Sequence, residues 1–157
     1  MEKSYRIVSL RGGSNVNSMM DDNRFARDGI VDDPITSGLS NYITLLLQFR
    51  TDIKLYHWKT KSFAHHKISD EFLDSIDYLS DKLVEAISGF YNIRPIMSGQ
   101  TISIRNISEV AEMIEVIRSV GAELKKPSLI MENSDIANIR DELLGSMDKT
   151  LYLLSFN

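Results

Sequence analysis

The sequence predicts an all-α protein built as a four-helix bundle with one long crossover connection. Three observations predict it. Four stretches repeat apolar residues at intervals of three and four, capping or breaking residues bound each stretch, and the connections between them run short, long, short.

Residues 1–36 precede the first periodic stretch and mix Gly12 and Gly13 with several Asn and Asp residues and Pro34; only the run from Tyr5 to Leu10 partly alternates. A lone extended segment cannot satisfy its own backbone edges. Residues 1–36 are therefore expected to form a flexible or partner-contacting N-terminal arm, and residues 37–157 the bundle. The first helix is predicted to start after Thr36 or Ser37, whose hydroxyls can cap exposed amides, and its core stripe is Leu39, Tyr42, Ile43, Leu46, Phe49, Ile53 and Tyr56. Lys59 to Ser62 interrupts that stripe, and the short connection implies an antiparallel partner. The second helix carries Phe72, Ile76, Leu79, Leu83 and Ile87 and ends between Gly89 and Pro95.

Residues 91–106 hold Pro95, Gly99 and the alternating run from Thr101 to Ile104, long enough to travel back along the bundle. Asn106 and Glu109 have capping-box spacing, so the third helix is expected to start there with Ile107, Val110, Ile114, Ile117 and Leu124 on one side. Pro127 must end or kink it. The fourth helix, capped near Ser134, carries Ile136, Ile139, Leu143, Met147, Leu151 and Leu154.

Composition narrows the function classes. The chain has 157 residues, enough for one well-cored domain, and its 22 acidic against 18 basic residues give a net charge of -4, which does not draw nucleic acid over long distances. The arm is nearly charge-balanced rather than polybasic, so DNA binding through it is only weakly supported. Apolar runs such as Leu45 to Leu47 fall far short of the roughly 20 residues that cross a bilayer, and the opening Met1-Glu2-Lys3 leads into no secretory segment; a cytoplasmic protein without membrane contact is expected. The absence of cysteine excludes disulfides and thiolate metal sites, so any metal must use nitrogen and oxygen ligands.

The second helix carries the chemistry. His66, Asp70, Asp81 and Glu85 fall on one helical face, joined by Asp74 and Asp77 and roughly opposite the apolar stripe. These carboxylates must face solvent or another chain. A solvated acidic face is one reading; a cation site is the other, because crowded carboxylates repel unless a cation relieves them and His57 can reach the same face across the turn. Mixed imidazole and carboxylate ligands suit iron better than calcium or magnesium. No His-Glu-x-x-His, Walker loop or Gly-x-Gly-x-x-Gly is present, nor the paired Glu-x-x-His elements of a bundle-core di-iron centre, so a site here would lie between chains.

The segment from Tyr56 through His57 and Trp58 to Phe63, followed by His66, Asp70, Asp81 and Glu85, resembles the Dps proteins, the ferritin-like DNA-protection or mini-ferritin family; the stretch from Asp148 to Phe156 is similar to that family's last helix. The nine-residue interval from His57 to His66 is shorter than the family's usual one. The resemblance implies a ferritin-like bundle and an iron-binding ferroxidase that oxidises Fe(II) with peroxide or oxygen and stores Fe(III). It implies a mono- or di-iron site shared between subunits, with His57, His66 and Asp70 from one subunit and Asp81 and Glu85 from its two-fold partner. Trp58 would stand beside the oxidation site, and the chain would form a homo-oligomer, at least a dimer and by family habit a dodecamer. The alternative is a ferritin-like structural or interaction protein without catalysis, in some form associated with nucleic acid.

Overall fold

The computed structural model describes residues 33–156. The expected arm, including the run from Tyr5 to Leu10 and any DNA contact through it, lies almost wholly outside the described residues. Four helices form the domain: α1 (Pro34–Lys59), α2 (Phe63–Tyr91), α3 (Val110–Leu124) and α4 (Ser134–Leu154), with a 3-10 turn at Leu129–Met131 before α4. Among the described residues no helix is long and apolar enough to cross a membrane.

Helix boundaries follow from local chemistry. The start of α1 lies earlier than Thr36 or Ser37 because Asp33 is the cap: its carboxylate accepts from the Thr36 N–H at 3.2 Å and from the Thr36 hydroxyl at 3.0 Å, and Pro34, which lacks an amide, fits the first turn. Those bonds to Thr36 hold the Asp33 carboxyl below its usual range. The end of α2 falls where expected, at Asn92 in the left-handed conformation with φ 51°. The start of α3 is shifted three residues from the Asn106 and Glu109 box. Glu109 is the cap, and the Glu112 carboxylate accepts from the N–H groups of Ser108 and Glu109. Asn106 is instead taken by Lys59, whose ammonium donates to its Oδ1. Asn133 caps α4 through bonds from the amides of Asp135 and Ile136.

The core lies where the four apolar stripes meet. Leu39, Phe49, Ile53, Ile76, Leu83, Ile87, Leu124 and Leu143 are fully enclosed, and Phe49 meets Phe72 edge to face. α2 packs on α1 and α4, and α3 packs on the same two helices. Residues 92–109 form the crossover, which runs parallel to α1 and is fastened by every fourth residue of that helix from Ser40 to Asp52. Ser40 donates to the Ile96 carbonyl, Thr44 to the Gln100 side chain, Gln48 engages Ser103, and Asp52 receives Arg105. The return path brings α3 to start at the same end as α2, which gives an up-down-down-up order.

Candidate functional site

The turn joining α1 to α2 places His57 over His66. Their rings stack with centroids 4.0 Å apart and planes inclined by 22°. Each ring reaches across to the other residue's main chain: His57 Nδ1 lies 3.1 Å from the His66 carbonyl, and His66 Nδ1 lies 3.0 Å from the His57 carbonyl. A carbonyl only accepts, so both Nδ1 atoms carry the hydrogen. In the neutral rings the lone pair is therefore on Nε2 in both residues. Ser69 packs against the pair, with Oγ 3.2 Å from His57 Nδ1 and donating to the His66 carbonyl at 3.0 Å. His57 is buried, which departs from the simple picture of a histidine standing free on the acidic face. Asp70 is exposed, and its Oδ1 lies 3.8 Å from His57 Nε2. That is too long for a hydrogen bond.

Asp81 and Glu85 share the outward face of α2 and are exposed as the helical period requires. They lie eleven and fifteen residues beyond Asp70, roughly 16 and 22 Å along the helix at about 1.5 Å per residue. One chain therefore does not gather all five candidate ligands. Among the described residues no group of three or more His, Asp or Glu side chains is placed to hold a metal ion. Trp58 stands on the outward face of α1, largely exposed, with the Lys54 ammonium 5.6 Å from its ring centre.

The remaining histidine has a different role. Tyr56 donates its buried hydroxyl to His65 Nδ1 at 3.0 Å, and His65 Nε2 donates to the Phe156 carbonyl at 3.3 Å. This is the opposite tautomer, and it ties the α1–α2 turn to the end of α4. Burial pushes the Tyr56 phenol up. Sequence reasoning passed over His65, although its place beside His66, on the side of α2 that turns inward, was a usable signal.

Further along the helices from the stacked histidines, the outward face of α1 and α2 carries an apolar groove of about 590 Å³. Ile43, Leu46, Leu47 and Val84 line it, and the crossover contributes Pro95 and Met97. Leu47 and Tyr78 remain exposed there, at 45% and 65%. The Ser80 hydroxyl, also on the groove, is buried without a hydrogen-bond partner among the described residues. Arg50 crosses from α1 to grip Asp77 with two bonds, which raises the guanidinium's pKa further.

A model of a family of unknown function, DUF5856, matches residues 57–154. The chain belongs to that family. The DUF5856 match spans well over half of the chain and takes in His57, Trp58, His66, Asp70, Asp81 and Glu85. No curated protein and no solved structure matches the chain. The described residues of this DUF5856 member form an all-α, four-helix domain.

Proposed function

We propose that this DUF5856 domain is a self-associating, ferritin-like four-helix module with a structural or interaction role, and that the outward α1/α2 face receives a second copy of the chain. The exposed pair Leu47 and Tyr78 on the apolar groove carries the reading. The polar stripe of α2 supports it by symmetry. His66 and Glu85, Asp70 and Asp81, and Asp74 and Asp77 all lie at equal distances on either side of the midpoint between Ser75 and Ile76. Two copies packed antiparallel about that midpoint set the histidine end of each against the carboxylate end of the other, while Tyr78 falls within one turn of the axis. The test is the mass of the full-length protein in solution. A dimer or larger assembly at micromolar concentration is expected, and Leu47→Asp is expected to shift it to monomer without loss of helix content. A monomeric native protein overturns the reading.

The tautomers of His57 and His66 favour a second reading, a Dps-like metal site and ferroxidase. Both Nε2 lone pairs are held ready by bonds at Nδ1, the usual way of orienting a metal-binding histidine. The 3.8 Å separation of His57 Nε2 from Asp70 also fits an ion bound to both by bonds of about 2.1 Å. In the antiparallel pair, Asp81 and Glu85 of the second copy would complete the donor set, and Fe(II) would be the substrate. Titration with Fe(II) under anaerobic conditions, then oxidation by peroxide, separates the two readings. The metal reading expects binding at one or two irons per site, and an oxidation rate lowered by Glu85→Gln and Asp81→Asn at unchanged assembly. Unchanged binding and rate in both variants removes it and leaves the interaction module.

A further inference from the structure

The crossover carries an open backbone edge. The side-chain amide of Gln48 accepts from the Ser103 N–H at 2.6 Å and donates to the Ser103 carbonyl at 2.9 Å. A single planar amide reaches both groups of one residue only when they point the same way, as they do in an extended strand. The described peptide bonds are all trans, so the Ile102 carbonyl points opposite to the Ser103 N–H, and the Ile104 N–H opposite to the Ser103 carbonyl. Both are directed away from α1, and neither has a hydrogen-bond partner among the described residues. The flanking side chains are exposed as well, Ile104 by 76%. An unpaired edge of this kind is a template for another strand.

We propose that Ser103 is the centre of a short antiparallel bridge between two copies of the chain, in which the Ile104 N–H of each copy donates to the Ile102 carbonyl of the other. The occupant is a second copy because the edge is complementary to itself: donor and acceptor flank Ser103 symmetrically, so one two-fold rotation satisfies all four groups. The edge also continues the contact face described above. Pro95 and Met97 of the same crossover line the groove there. Gln48 follows the exposed Leu47 directly and holds Ser103 within about one turn of the level where Arg50 meets Asp77, beside the midpoint of the α2 stripe. The inference rests on the self-association reading. Two hydrogen bonds do not hold a dimer together; their effect is to fix its register.

The chain contains no cysteine, which makes the test clean. In such a bridge Ser103 opposes itself as a non-hydrogen-bonded pair, with Cα atoms about 4.5 Å apart, within disulfide reach. Full-length Ser103→Cys under mild oxidation is expected to form a disulfide-linked dimer at least roughly tenfold faster than Ser98→Cys, an exposed control on the same crossover. Ile104→Pro removes the outward N–H and suits the extended residue before it, and is expected to weaken association roughly tenfold more than Ile104→Ala, which keeps the N–H, at unchanged helix content. A native dimer that depends on Leu47 but shows no preferential cross-linking at position 103 and no effect of Ile104→Pro beyond that of Ile104→Ala overturns the bridge and leaves the self-association. A native protein that is monomeric at micromolar concentration overturns both.

Discussion

Asp52 is fully enclosed, while Arg105, which holds its carboxylate with two bonds, keeps nearly half of its side chain in water. The asymmetry decides what each deletion does. Removing Asp52 releases Arg105 to solvent, but removing Arg105 leaves a buried carboxylate with, among the described residues, only the Gln48 amide to bond it. Arg105→Ala is therefore expected to destabilise the domain by on the order of 2–3 kcal/mol, below the roughly 3–5 kcal/mol of a fully enclosed pair because the guanidinium side is open. Asp52→Asn, which keeps the shape and a polar contact, is expected to cost less. Urea unfolding of both variants checks the order, and equal losses would show that the carboxylate is solvated after Arg105 is gone. None of this was visible in the sequence, where Asp52 reads as one more polar residue on an amphipathic helix. The histidines were half legible. Spacing put His57 and His66 together across the turn, but their mutual main-chain bonds depend on the path of a connection only a few residues long.

At the scale of elements, the third helix shows both what patterning reveals and where it stops. Asn106 with Glu109 and Glu109 with Glu112 have the same spacing, and local preference favours Asn106, the better capping residue, which the fold does not use. The choice is tertiary: Lys59 occupies Asn106, while Ile107 is buried just before the helix. The bonds from Ser108 and Glu109 hold the Glu112 carboxyl below its usual value of 4.5. A carboxyl depressed in the folded state contributes stability that is present above the unfolded value and is lost as pH falls through the folded one. Glu112→Gln is therefore expected to lower stability at pH 7, with the gap to the native protein closing as the pH falls below 4.5. Chemical denaturation at neutral and acid pH measures it, and a gap that persists in acid would mean that the charge of Glu112 is not what caps the helix.

For the whole molecule, the four helices, their order and the long return were legible, because apolar period and breaker residues are properties of short windows. The contact role proposed for the α1/α2 face was not, because a face built to meet a second copy and a face built to meet water differ in a few exposed apolar side chains. Leu47 and Tyr78 become meaningful only once the groove between the helices is seen.

The fastening of the crossover also sets an order of events when the chain folds. The α1–α2 and α3–α4 hairpins close locally through short connections, whereas the links of the crossover to Ser40, Thr44, Gln48 and Asp52 join residues 53 to 56 positions apart. Contacts that distant in sequence form late, since the loop between them must close first. Of these four links, only that to Asp52 involves a fully enclosed charge, and the strap itself is exposed from Ser98 to Asn106. The lifting of this strap from a bundle whose helices remain packed is therefore the expected first opening of the domain, and amide exchange faster at residues 98–106 than in α1 and α2 would show it.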